Sequence, residues 1–198
     1  MLAPEILLDT GTSRLWIVRN YCLDLYENIR ALPMYEEPPI MVHGKWGKQR
    51  RNIGFFSNDS KGYQYSTTFI PSQPLSTSPV LEWLLPEVNR SLGTNFNGML
   101  VNRYVDGTKK LGAHSDEESA LDKTKRMVAG IAFGPGAAQR PFRIRDKRSG
   151  NIVLDVTWEP CTLLVMEGEF QSSFTHEIPE RLRVKDERVS VTFRHHLE

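Results

Sequence analysis

His114, Ser115 and Asp116 stand in succession, and His176 follows well downstream. On an extended strand, side chains two apart point the same way, so His114 and Asp116 can reach one ion while Ser115 faces elsewhere. A third ligand from a distant strand would complete a two-histidine, one-carboxylate set, which leaves open positions on non-haem Fe(II) for oxygen chemistry. His176 is the candidate for that place. A second pattern closes the chain at Arg188-Val189-Ser190-Val191-Thr192-Phe193-Arg194. Arg188, Ser190, Thr192 and Arg194 share one face of such a strand, while Val189, Val191 and Phe193 share the other and can enter a core. Guanidinium forks suit bidentate carboxylate recognition and stay charged at neutral pH. Taken alone, the heptapeptide reads first as an edge strand with a solvated polar face. Beside a metal set, its two arginines read as the clamp for an anionic co-substrate.

These residues need strands to position them. From Phe96 onward, short strands recur at intervals of roughly ten residues: 98–104, 127–133, 141–146, 152–156, 162–166, 174–178 and 189–194, punctuated by Gly-Pro-Gly, Ser-Gly-Asn and Glu-Gly-Glu. That spacing predicts an antiparallel sandwich or barrel. The expected class is mainly β with flanking helices, built on a jelly-roll (double-stranded β-helix) core whose facing sheets bring His114, Asp116 and His176 to one mouth. Upstream, Leu15 to Val18 reads as a short strand and Cys22 to Leu32 as a helix stopped by Pro33. Residues 38–62 are loop-rich with one or two hairpins. Ser78 and Pro79 make a good helix entrance before the stripe Leu81, Leu84, Leu85, Val88 and Leu92, which Pro86 should kink or split. Residues 1–95 are thus expected to form an extension with helices and a recognition lid, and 96–196 the catalytic core, in one compact domain.

A chain of 198 residues with 39% hydrophobic and 25% charged residues suits a soluble globular protein. The net charge of +1 announces no polyanionic partner globally. Locally, Lys45, Lys48, Arg50 and Arg51 cluster beside His43 and Trp46, a basic segment that reads either as a solvated loop or as a nucleic-acid contact. Cys22 and Cys161 lie outside any metal or redox spacing. Reduced thiols, no apolar run long enough to span a bilayer and no signal-peptide pattern give the expectation of an intracellular protein without a membrane segment.

The ordered set Asn102-Arg103-Tyr104-x-Asp106-Gly107, His114-Ser115-Asp116-Glu117-Glu118, Leu164-x-Met166-Glu167-Gly168, His176 and Arg188-x-Ser190-x-Thr192-Phe193-Arg194 resembles the AlkB family of Fe(II)/2-oxoglutarate dioxygenases. The resemblance covers about residues 40–194. It implies Fe(II) held by His114, Asp116 and His176, with 2-oxoglutarate as co-substrate and O2 as oxidant. Asn102 and Tyr104 would hydrogen-bond the co-substrate, Arg188 would grip its distal carboxylate, and Arg194 would sit nearer its metal-bound end. Many relatives carry asparagine where this chain has Ser190, whose hydroxyl gives a shorter contact.

The same resemblance implies a nucleic-acid substrate carrying N-alkylated bases of the 1-methyladenine or 3-methylcytosine type. Tyr63, Tyr65 and Ser66 match a nucleotide-binding lid, although the two tyrosines also suit ordinary hairpin packing. Glu118 matches an acidic residue facing the damaged base. His43, Lys45 and Trp46 match a loop that duplex-acting members push into DNA, but histidine replaces their large apolar wedge, which predicts single-stranded or weakly paired substrate. The expected enzyme is monomeric. Two other readings stand beside it: a hydroxylase of a protein or small molecule on the same site, and a non-catalytic nucleic-acid-binding module.

Overall fold

Alternating apolar side chains lay down two antiparallel sheets in the computed structural model, which describes residues 3–42, 44–116 and 126–196. In chain order the first elements are β1 (Glu5–Asp9), β2 (Ser13–Val18), α1 (Tyr26–Arg30), β3 (Pro39–Val42), β4 (Lys45–Lys48), β5 (Asn52–Phe56), β6 (Gly62–Tyr65), β7 (Thr68–Pro71), α2 (Pro79–Leu92) and β8 (Gly98–Tyr104). There follow β9 (Leu111–His114), β10 (Met127–Phe133), β11 (Phe142–Asp146), β12 (Ile152–Val156), β13 (Leu163–Gly168), α3 (Phe170–Ser173), β14 (Phe174–Ile178) and β15 (Arg188–Arg194). The major sheet runs β1-β2-β13-β10-β15-β8-β5 and the minor sheet β12-β11-β14-β9. Their facing arrangement is the expected jelly roll. The hairpins β3–β4 and β6–β7 lie outside both sheets and meet where the Met41 amide donates to Thr67 Oγ1 at 2.9 Å.

Strand periodicity divides the major sheet's side chains between two cores. On β10, Ala129, Ile131 and Phe133 pack toward the helices, whereas Val128 and Ala132 face the minor sheet. On β15, Val189, Val191 and Phe193 join the helix-side core with Leu81, Leu84 and Val88 of α2. The opposite face of β15 is not solvated. The strand is flanked by β10 and β8, so Arg188, Ser190 and Arg194 are buried between the sheets. The solvated edge strand that the heptapeptide alone would suggest is thereby excluded: its polar face lines an internal site.

Several local expectations change for identifiable reasons. The helix after β2 shrinks to Tyr26–Arg30, because its ordered start is set by Asp24, whose Oδ1 accepts from the Tyr26 amide at 3.0 Å. Pro86 does not split α2, which runs unbroken from its Ser78 cap to Gly93 in the left-handed conformation. The proline lies on the exposed face, where water can satisfy the carbonyl it leaves unbonded, while the buried stripe holds the helix. Strand β1 has no sequence signal of its own; it is an exposed edge strand paired only to β2. Strands β1, β2 and β5 come from the stretch expected as an extension, yet they pair within the major sheet. The cause lies in β2, whose Leu15 and Ile17 are buried between the sheets. No helix among the described residues is long and apolar enough to cross a membrane.

Candidate metal centre and anion cradle

His114 ends β9 and stands opposite His176 of β14 in the minor sheet, with ring centroids 4.4 Å apart. Asp116 lies past the end of β9, in a bend. Strand alternation alone therefore does not aim its carboxylate. Three contacts do so: its amide donates to Gln171 Oε1 at 2.8 Å, Arg194 Nη2 donates to Asp116 Oδ1 at 2.5 Å, and both imidazoles face it. His114 Nε2 stands 3.6 Å from Asp116 Oδ1, and His176 Nε2 stands 3.7 Å from Asp116 Oδ2. These separations are long for hydrogen bonds. They suit donor atoms arranged round a common ion, and the potential ligand atoms of the three residues all lie within 4.8 Å of one another.

Each candidate ligand has a contact behind it. His114 Nδ1–H donates to the Gly112 carbonyl at 2.9 Å, leaving the Nε2 lone pair toward Asp116. Phe142 packs against the His176 ring at 5.1 Å. Asp116 Oδ2 is buried with no hydrogen-bond partner among the described residues. A buried carboxylate oxygen without a partner is costly unless a cation meets it. Two neutral imidazoles and one carboxylate are the donor set that non-haem Fe(II) takes, so these residues fit that ion.

Facing them across the cavity is a cradle from the major sheet. Arg188 is fully buried; Nη1 donates to the Ala137 carbonyl at 3.2 Å, while Nε and Nη2 have no hydrogen-bond partner among the described residues. Its guanidinium lies over Trp158, 4.8 Å from the ring centroid. That plate fits because position 130 is glycine: a Cβ there would come within 2.8 Å of the indole. Asn102 and Tyr104 of β8 share the inward face, and Asn102 Oδ1 likewise has no hydrogen-bond partner among the described residues. All three candidate ligands and Asn102, Tyr104, Arg188, Ser190 and Arg194 line one cavity. Its charge is lopsided. Among the described residues, Arg51, Arg188 and Arg194 are buried at its wall against the single buried carboxylate of Asp116. Glu177, also at the wall, is taken by Arg145 at 2.9 Å. Buried charges without partners are strongly disfavoured, so the site calls for an anion as well as a cation. A dicarboxylate meets that need.

The remaining expected contacts are placed as follows. Tyr63 and Tyr65 share one face of β6, stacked at 6.2 Å, but Tyr63 is buried beneath Arg194. Tyr65 is half-buried and presents its ring edge-on to His114 at 6.1 Å. Ser66 is exposed in the β6–β7 turn, and Lys45 and Trp46 are exposed on β4, Trp46 by 66%. His43, Glu117 and Glu118 lie outside the described residues. Arg51 leaves the basic segment: it is buried, bonded to Gln49 Oε1 and set over Tyr65 at 5.0 Å. Gln171 and Trp158 carried no sequence signal, because each acts through a tertiary contact.

Burial dominates the electrostatics. It depresses His114 to about 3, with His176 and Arg51 adding to the effect against the opposing pull of Asp116. His176 is lowered, again chiefly by burial. Burial also brings His196 to about 3 and Arg188 down to about 10, which leaves the arginine charged at neutral pH. Burial pushes Asp116 up, yet Arg194 and the two imidazoles together hold it below the ordinary carboxylate value. The imidazoles are therefore neutral and the carboxylate ionised near pH 7, the states needed to bind a metal. A stability prediction follows from the sign of these shifts. Between about 3 and the ordinary imidazole value of 6.5, the unfolded chain holds more protons than the folded one. Stability therefore falls as pH drops through that window. The melting temperature of the metal-free protein should decline from about pH 7 to about pH 5, measured by calorimetry; a rise on acidification would contradict the assignment.

A fold of facing antiparallel sheets with this donor set defines a non-haem iron oxygenase type of site. The chain belongs to the 2OG-Fe(II) oxygenase superfamily, whose family model matches residues 17–194, and its similar proteins fall on the AlkB branch. Human DNA oxidative demethylase ALKBH2 is 29% identical over 160 residues, covering 78% of this chain and 60% of that protein. The mouse protein of the same name is 32% identical, covering 78% and 65%. Human alpha-ketoglutarate-dependent dioxygenase alkB homolog 3 is 31% identical over 140 residues, covering 67% and 47%. The chain thus spans roughly half to two thirds of the length of these relatives. A solved structure, that of OsALKBH1, superposes with a TM-score of 0.60 over 97% of this chain and 100% of that chain, at 14% identity, a likeness of fold. Membership of the superfamily bears out the expected Fe(II), 2-oxoglutarate and O2.

Proposed function

We propose that the protein is an oxidative demethylase of nucleobases alkylated on a ring nitrogen, acting on DNA or RNA. The observation that carries this reading is the convergence of His114, Asp116 and His176 in one buried cavity with Arg188, which has no carboxylate partner among the described residues. The substrate class is supported by relatives named as DNA oxidative demethylases.

His114, Asp116 and His176 hold the ion, and Arg194 keeps one Asp116 oxygen engaged while leaving the other for the metal. Arg188 takes the distal carboxylate of 2-oxoglutarate, with Asn102, Tyr104 and Ser190 hydrogen-bonding along the same wall. Bound iron, 2-oxoglutarate and O2 supply the oxidation of an N-methyl group to hydroxymethyl, with succinate and CO2 as co-products; the hydroxymethyl then leaves as formaldehyde. The walls exclude water and fix the reacting partners. At the mouth, Tyr65 offers a stacking face beside His114 and Arg51. Ser66, Lys45 and exposed Trp46 extend the contact along the strand; His43 and Glu118, outside the described residues, are assigned to substrate contact by the family resemblance alone. With histidine in place of an apolar wedge, single-stranded or weakly paired nucleic acid is the preferred substrate of a monomeric, intracellular enzyme.

The test uses oligonucleotides carrying 1-methyladenine or 3-methylcytosine, single-stranded and paired, with Fe(II), 2-oxoglutarate and air. Mass spectrometry should show loss of the methyl group with stoichiometric succinate, faster on single strands and slowing steeply as salt rises. Succinate release with every lesion intact would overturn the substrate assignment. Equal rates on single and paired strands would remove the strand preference.

A further inference from the structure

The metal carboxylate is the one proposed ligand that no regular element holds. Strand β9 ends at His114, and the last β9–β14 pairing toward the site is His114 with His176. Asp116 is two residues beyond it, so its amide has no place in a ladder, and a buried amide needs an acceptor. That acceptor is a side chain. Gln171, in the four-residue helix α3, accepts from Asp116 N at 2.8 Å through Oε1. The orientation of its amide is forced, because the reverse would set an NH2 against the N–H. Its other end, Nε2, donates to Met166 Sδ at 3.6 Å, which anchors it to β13.

A second strut runs behind the first. Lys147, following β11, donates to Ser115 Oγ at 3.1 Å and to the Gln171 carbonyl at 3.2 Å. Ser115 and Asp116 are thus each held by a side chain, and both contacts lead to α3. Backbone is fixed by Gln171, one carboxylate oxygen by Arg194, and the remaining oxygen is left for the ion.

We infer that Gln171 is a positioning residue for the metal centre, setting the angle of Asp116 through its backbone amide while touching neither metal nor substrate. This rests on the reading of His114, Asp116 and His176 as metal ligands. Residues behind metal ligands typically contribute about tenfold or more to metal affinity when changed. Gln171→Leu removes the acceptor, whereas Gln171→Glu keeps an acceptor oxygen at the same reach.

The experiment titrates Mn(II), a redox-stable stand-in for Fe(II), into wild type, Gln171→Leu, Gln171→Glu and Asp116→Ala, counting free Mn(II) by electron paramagnetic resonance. Melting curves of the metal-free proteins run alongside. Wild type should bind one Mn(II), Asp116→Ala should lose it, and Gln171→Leu should bind at least ~10-fold more weakly. Gln171→Glu should recover most of that loss, with both Gln171 variants folded. Unchanged affinity in folded Gln171→Leu, or equal weakening in the Leu and Glu variants, overturns the positioning role while leaving the triad standing. Failure of wild type to bind, or undiminished binding by Asp116→Ala, removes the triad and the inference together.

Discussion

Asp116→Ala is expected to lower the stability of the metal-free protein by about 3–5 kcal/mol, as well as abolishing metal-dependent turnover. The two losses have different causes. Arg194 Nη2 and Asp116 Oδ1 meet at 2.5 Å with side chains 4% and 0% exposed, so solvent does not screen the pair. Removing the carboxylate takes from the buried guanidinium over Tyr63 the anion that meets it. The same cut removes the one carboxylate of the proposed metal set. Asp116→Asn keeps the shape and one acceptor oxygen, so it should lose turnover while retaining more of the stability. Chemical denaturation paired with succinate release separates the effects. An alanine variant as stable as wild type would show that the buried pair contributes nothing, and retained turnover would remove Asp116 from the metal.

Arg188→Met should act in the opposite sense on stability. No carboxylate pairs with Arg188 among the described residues, and two of its nitrogens are buried without partners. Its compensation among the described residues is one carbonyl and the Trp158 face, so an apolar chain of similar length, free of the burial cost of the charge, should be neutral or stabilising there. The metal-free variant should therefore melt at or above the wild-type temperature. Its use of 2-oxoglutarate should collapse: a charge-assisted contact is worth about 1.5–3 kcal/mol, which is roughly 10- to 150-fold in apparent KM. Arg188→Lys would keep the charge but lose the planar fork, and should recover only part of the affinity. A destabilised variant with an unchanged KM for 2-oxoglutarate would make Arg188 a structural residue.

Much of the site was legible because it lies on strands whose side chains obey a period of two. That rule separated Arg188, Ser190 and Arg194 from Val189, Val191 and Phe193, and the structure buries the two sets on opposite faces of β15. It also set Asn102 and Tyr104 together on β8. The same rule stopped short at Asp116, which looked like a strand partner of His114 but lies in a bend. Arg51 misled for a related reason. It sits in a run of basic residues that reads as solvated, yet the bend just before β5 turns it inside, over Tyr65 at the cavity wall.

Local chemistry in the sequence determined the donor types, the alternation of faces, the capped helix at Ser78 and the approximate bounds of most core strands, because each depends on residues within a few positions of one another. Tertiary structure alone decided that β15 is central rather than an edge, and that β1, β2 and β5 complete the major sheet. It also seated Trp158 under Arg188 and let Gln171 reach the amide of Asp116. Those outcomes depend on contacts between segments far apart in the chain, and no spacing rule along one segment encodes which distant partner will bury its face.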